Sequence, residues 1–99
     1  MARNKDKFAR IDPIIHSSSR LNIMSILYVV KEADFMFLLE QTGLTRGNLS
    51  AHISKLEEAG YVNVQKMFEK KIPKTTYNLT ARGRKAFDDY RKNLSELLK

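Results

Sequence analysis

Cysteine is absent from the chain, which removes disulfide staples, thiolate zinc sites, thiol nucleophiles and cysteine-based redox sensing together. That absence fits a reducing compartment, and the reading places the protein in the cytoplasm. Only two prolines and four glycines occur, too few for a low-complexity or disordered class. Those glycines form neither a phosphate-cradling loop nor a dinucleotide fingerprint. No apolar run is long enough to span a bilayer, so no membrane partner is expected. The basic opening "MARNKDKFAR" lacks the apolar stretch and small-residue cleavage site of a signal peptide.

Histidine is scarce as well. His16 and His52 are the only two and make no ligand set by themselves, so no metal site is expected. The hydroxyls of Ser17, Ser18 and Ser19 have no marked base-and-orienter arrangement, and helix capping accounts for them more simply. No catalytic constellation and no cofactor motif remain, and the protein is read as a non-enzyme.

What the chain does have is a core and an uneven charge. Hydrophobic residues make up 42% of 99 residues, which suits one compact domain over residues 1–99. Eighteen Lys and Arg against eleven Asp and Glu give a net charge of +7, an excess that raises the prospect of a polyanionic partner. Lys31 to Gly60 carries three bases and five acids, whereas Tyr61 to Lys85 carries seven bases and one acid. The excess is therefore local.

Apolar spacing and caps divide the chain into elements. Asp12 before Pro13 has the form of an N-cap with proline at the first helical position, predicting a helix from about Asp12 to Lys31. A second start is available at Ser18 or Ser19, so the helix can break near Ser17–Ser19. Asp34 caps "FMFLLEQT", Gly43 ends it, and Thr45 caps the next helix almost at once. Two short helices joined this tightly are the sequence form of a helix-turn-helix, here over residues 35–59.

In the second of these helices Leu49, Ile53 and Leu56 make the buried stripe. At 100° per residue Asn48, Ala51, His52 and Lys55 fall together beside it, with Glu57 and Glu58 held to the last turns. After Gly60, "YVNVQKMF" alternates as a strand and "TTYNLT" is rich in β-branched and aromatic residues, predicting a hairpin with "EKKIPK" as its loop. Thr80 caps a last helix carrying Phe87, Tyr90, Leu94 and Leu97 at 3–4 spacing.

"LTRGNLSAHISKLEEAGYV" at Leu44–Val62 and "KTTYNLTARGR" at Lys74–Arg84, in the order helix, helix-turn-helix, basic hairpin, helix, resemble winged-helix transcriptional regulators of the MarR and ArsR type. The resemblance is nearest to small one-domain prokaryotic regulators and spans almost the whole chain. It implies an α+β, mostly helical fold: a winged helix-turn-helix with a two-stranded β-hairpin wing and terminal dimerisation helices. It further implies a recognition helix from about Arg46 to Ala59 and a wing over residues 61–80 whose tip reaches the minor groove.

Double-stranded DNA and a second copy of the chain are the implied partners. Thr45, Arg46, Asn48, Ser50, His52 and Lys55 map to recognition positions, joined by Ala51 from the helical face. Lys70, Lys71 and Lys74 map to the wing, with Lys66, Arg82, Arg84 and Lys85 flanking it. The helix over residues 81–98 is the expected dimerisation element, through Phe87, Tyr90, Leu94 and Leu97, and residues 1–10 form a basic arm. Metal-sensing relatives use cysteine-containing clusters, and this chain has none.

Plainer alternatives stand beside each reading. The recognition face could be a solvated helix face, the wing tip a solubilising turn, and the Phe87–Leu97 stripe the packing of the last helix on the first. Two other functional classes are a winged-helix protein-interaction module and a structured-RNA binder.

Overall fold

The computed structural model describes residues 8–99; most of the basic arm expected over residues 1–10 lies outside the described residues. In order the elements are α1 (Ser18–Val29), β1 (Ala33–Asp34), α2 (Phe35–Thr42), α3 (Arg46–Glu58), β2 (Val62–Glu69), β3 (Ile72–Leu79) and α4 (Ala81–Leu97). The fold is α+β, a winged helix-turn-helix.

The first helix starts later than Asp12. Asp12 Oδ1 accepts from the amide of Ile14 at 2.8 Å, and the Asp12 carbonyl accepts from the amide of His16 at 2.8 Å. An Asp side chain that bonds the amide two residues on can close a single turn as readily as launch a helix, and here the turn does not propagate. The turn buries Ile11 and Ile15. Ser17 then stands in extended backbone, and its Oγ accepts from the amide of Arg20 as the N-cap of α1. At its other end α1 stops at Val29, with Val30 extended, because the chain must straighten to pair Ala33 with Tyr77.

The helix-turn-helix follows its caps. Asp34 Oδ1 accepts from the amide of Phe37 at 2.8 Å, and Gly43 ends α2 with φ +70°, a left-handed conformation that costs glycine little. Thr45 Oγ1 accepts from the amide of Asn48 at 3.1 Å to open α3. Such a cap contributes about 1 kcal/mol. Leu38 of α2 and Leu49 and Leu56 of α3 are fully buried with Ile15, Ile23, Met24 and Leu27, each burial contributing roughly 1.5–3 kcal/mol.

The sheet has three antiparallel strands in the order β1-β3-β2, so the two-stranded wing gains a third strand at its base. β1 is two residues long, too short to carry an alternating pattern. The hairpin is also tighter than the "EKKIPK" loop suggests: Glu69 pairs with Ile72 and Phe68 with Pro73, leaving Lys70 and Lys71 as the whole tip. Pro73 lies past the end of β1, where one side of β3 is open and a residue lacking N–H is tolerated.

The hairpin base is clamped to α4. Thr80 Oγ1 accepts from the amide of Gly83 at 2.9 Å and donates to the Gly60 carbonyl at 2.6 Å, while the Thr80 amide donates to the Tyr61 carbonyl at 3.0 Å. The approach is so close that a Cβ on Gly83 would lie 2.1 Å from the Tyr61 oxygen.

One half of the expected dimer stripe is spoken for. Phe87 and Tyr90 are buried in the chain's own core, the Phe87 ring 4.9 Å from that of Tyr28 and the Tyr90 hydroxyl 2.9 Å from His16 Nδ1. They are thus not an exposed surface awaiting a partner; α4 uses them to pack on α1. Leu94 and Leu97 are only half-buried and Leu98 is exposed. Asn93 Nδ2 donates to the Arg10 carbonyl at 3.2 Å, tying the described end of the N-terminal arm to this last stretch of α4. Among the described residues no helix is long and apolar enough to cross a membrane.

Candidate nucleic-acid interface

α3 presents two polar aspects divided by its buried stripe. Asn48, Ala51 and Lys55 are exposed and His52 half-buried, grouped on one side as 100° spacing requires. Ser50 is exposed on the other side, where it joins Ser54, Glu57, Val64, Lys66 and Tyr77 in lining a groove of about 190 Å³ between α3 and the wing. No acidic residue stands in the first turn of α3. Its free amides and the positive end of its dipole are therefore uncompensated by carboxylate, the electrostatics an anion meets favourably.

Two predicted recognition residues have local duties. Thr45 spends its hydroxyl on the cap. Arg46 turns back toward α2, its Cζ 6.0 Å from the centre of the Phe35 ring and Nη2 3.6 Å from Met36 Sδ. There it borders a second basin of about 330 Å³ with Pro73, Lys74 and Thr75 of the wing.

His52 is held from behind. Its Nδ1 lies 3.1 Å from Arg20 Nη1, and Arg20 Nε donates to the Ile14 carbonyl at 2.5 Å. Burial first, then the charges of Arg20 and Lys55, push the imidazole pKa below its ordinary value.

On the wing, alternation puts Val62, Val64, Lys66 and Phe68 on one face. Val62 is buried beneath α3, Lys66 borders the groove, and Phe68 projects beyond the body of the domain with 75% of its surface exposed. Lys70 and Lys71 form the tip with φ of +51° and +68°, a region that L side chains enter at a cost of about 1–2 kcal/mol each. Ile72, next to them, is 67% exposed. The tip therefore combines two cations with two apolar side chains.

The flanking positive charge is less concentrated than the sequence implies. Lys74 pairs with Glu69 at 3.3 Å and Lys85 with Asp89 at 3.1 Å. Arg84 stacks over Tyr28 at 4.9 Å, and Arg91 approaches the same ring at 5.6 Å, so Arg84 serves the α1–α4 contact. Arg82 lies along Gly60 at the wing base. Lys66, Lys70 and Lys71 remain as the wing cations without a carboxylate partner among the described residues.

Sequence reasoning missed Arg20, Ser54, Phe68 and Ile72. Arg20 carries no local signal, because its proximity to His52 depends on how α1 crosses α3. Ser54 was within reach: it lies four residues after Ser50, one turn along the same side. Phe68 and Ile72 read as ordinary strand residues until the hairpin is seen to outrun the core.

The profile of the winged helix DNA-binding domain matches residues 19–98. The chain belongs to that family. An uncharacterized protein of Methanocaldococcus jannaschii is 38% identical over 86 residues, covering 87% of this chain and 94% of the relative. The transcriptional regulator homologue of Pyrococcus horikoshii superposes with a TM-score of 0.86 at 28% identity, over 99% of this chain and 95% of that one. A MarR-family transcriptional regulator from Silicibacter pomeroyi shares the fold at a TM-score of 0.68 and 16% identity, over 96% of this chain and 63% of that one. The winged-helix chain is thus of the transcriptional-regulator type.

Proposed function

We propose that this protein is a sequence-specific regulator of transcription that binds double-stranded DNA as a homodimer, with α3 in the major groove and the wing tip at the minor groove. The observation that carries the reading is the open, acid-free start of α3, with Asn48, Ala51, His52 and Lys55 on one side and, on the adjoining wing, Lys66, Lys70 and Lys71, which have no carboxylate partner among the described residues. Asn48 can bond adenine through both N6 and N7, and Ala51 offers a small apolar contact to a thymine methyl. Lys55 and the wing lysines supply phosphate attraction that sets register and strength but little sequence information.

A single module of this size reads few bases, and a two-fold dimer doubles the reading across two half-sites. The surface proposed for that dimer is the end of α4, where Leu94 and Leu97 are half-buried and Leu98 is 76% exposed.

The test is selection from a randomised duplex pool, followed by competition with excess scrambled duplex and with double-stranded RNA. The reading expects a symmetric enriched sequence that resists both competitors. Asn48→Ala should erode the preference by about 1–3 kcal/mol, the cost of one bidentate base contact. Equal binding to every polyanion would refute it.

A further inference from the structure

We infer that Arg20 locks His52 as a neutral imidazole with its proton on Nε2, so that His52 acts as a one-donor reader of the N7 edge of a guanine. The inference rests on the DNA-binding reading above and assigns Arg20 as a positioning residue.

A guanidinium has donors and no acceptor. Arg20 Nη1 at 3.1 Å from His52 Nδ1 therefore requires a lone pair on Nδ1. An imidazole with a lone pair on Nδ1 is neutral and carries its hydrogen on Nε2. The cationic neighbours act in the same direction, since Arg20 from α1 and Lys55 from α3 both disfavour a protonated ring, as does burial. Arg20 cannot easily swing away, because Nε is engaged with the Ile14 carbonyl while Nη1 faces the ring. The Asp12–Ile15 turn that supplies this carbonyl is itself fixed: Asp12 caps the Ile14 amide and accepts from the Tyr61 hydroxyl.

The two ring nitrogens point apart, so a ring held at Nδ1 directs Nε2–H away from Arg20. No described residue bonds Nε2, and His52 sits on the face of α3 that carries Asn48, Ala51 and Lys55. A neutral N–H there has a definite preference. Cytosine opposes it with an amino donor, and adenine N7 and thymine O4 accept beside an amino donor or a methyl group, whereas guanine offers two acceptors, N7 and O6, side by side with no neighbouring donor. The Arg20 charge behind the ring favours the same electron-rich edge. A protonated ring would be drawn to phosphate as well as to base edges, which dilutes the preference.

Two measurements decide the matter. In the free protein, nitrogen-15 NMR of the imidazoles should show His52 at pH 7 as the neutral Nε2–H form; an Nδ1–H form or an imidazolium overturns the lock whatever the protein binds. On the duplex enriched from the randomised pool, replacing guanines one at a time with 7-deazaguanine should expose a position where wild type loses about three- to tenfold, the range of one net hydrogen bond. His52→Ala should show no loss at that position. Arg20→Ala, checked by circular dichroism for an intact fold, should lose the same sensitivity although His52 is still present.

A purely structural role for Arg20 predicts uniform weakening with the 7-deazaguanine effect retained, which overturns the assignment. An enriched duplex with no guanine that behaves this way also overturns it, while the DNA-binding reading stands. A pool that yields no enriched duplex sinks both.

Discussion

The wing tip allows stability and binding to be driven in opposite directions by one double substitution, Lys70→Asn with Lys71→Gly. Both lysines hold positive φ in a two-residue connection between paired strands, the position where Asn-Gly is the favoured dipeptide. Each lysine in that region costs about 1–2 kcal/mol relative to right-handed or extended backbone. The new glycine returns roughly 0.5–1 kcal/mol through its freer unfolded state. The net gain is about 1–2 kcal/mol, which for a domain of this size raises Tm by about 5–15 °C. The same change removes two cations, and each lost phosphate contact should flatten the log–log salt dependence of binding by roughly 0.9. Thermal denaturation and titrations at several salt concentrations on one protein preparation measure both effects. A variant that is more stable and binds more weakly, with a slope shallower by about 1.8 per wing, is the expected result. An unchanged Tm would refute the strain argument, and an unchanged slope would refute placement of the tip at the DNA backbone.

Further expectations follow from the clamp, the tyrosine and the end of α4. Gly83→Ala places a methyl against the Tyr61 carbonyl and should destabilise by about 1–3 kcal/mol, as overpacking does, seen as a lower denaturation midpoint. The Tyr61 pKa is pushed up to about 12, by burial first and then by its hydrogen bond to Asp12 and the charge on that carboxylate. Its contribution to stability is accordingly complete below pH 10 and declines as pH rises from 10 toward 12. Tyr61→Phe should be less stable at neutral pH yet lose less between those limits in pH-dependent unfolding. Leu94→Asp with Leu97→Asp should shift sedimentation from dimer to monomer and reduce affinity for a full palindromic site more than for a half-site; a wild-type monomer at DNA-binding concentrations would refute the two-headed mechanism.

The parts of the fold legible in the sequence are those encoded within a few residues. Asp34, Thr45 and Thr80 were readable as caps because a cap needs only its own side chain and an amide three residues on. Gly43 was readable for the same local reason. The Asp12 start failed because the identical chemistry, a carboxylate on a nearby amide, serves a turn as well as a helix. Whether the chain continues as helix depended on burying Ile11 and Ile15 in the core and on the extended Ser17, the first of which is not local. β1 was invisible for a related reason: only its partner Tyr77, forty-four residues away in sequence, defines it as a strand.

The candidate site divides along the same line. Helical periodicity was enough to gather Asn48, Ala51, His52 and Lys55 on one face, but it could not say how the basic residues are used. Arg46, Lys74, Arg84 and Lys85 looked equivalent to Lys66, Lys70 and Lys71 as positive charges, yet each of the first four has a neighbour that occupies it. Arg20 is the converse, a residue with no motif that reaches the recognition helix only because α1 packs across it. Charge summed over sequence is thus a poor map of charge offered to a ligand. What remains after local pairing is a short polar face on α3 and a strained cationic tip on the wing, two elements that also wall a common groove through Ser50, Ser54, Val64 and Lys66. In the proposed complex a duplex would present its major groove to one and its flanking backbone to the other, so the separation of Asn48 from Lys70 and Lys71 would set the footprint of each protomer. Shortening the hairpin by one cross-strand pair, Glu69 and Ile72, would draw the tip back by about 3.4 Å and should contract that footprint at its outer edge while leaving the bases read by α3 unchanged.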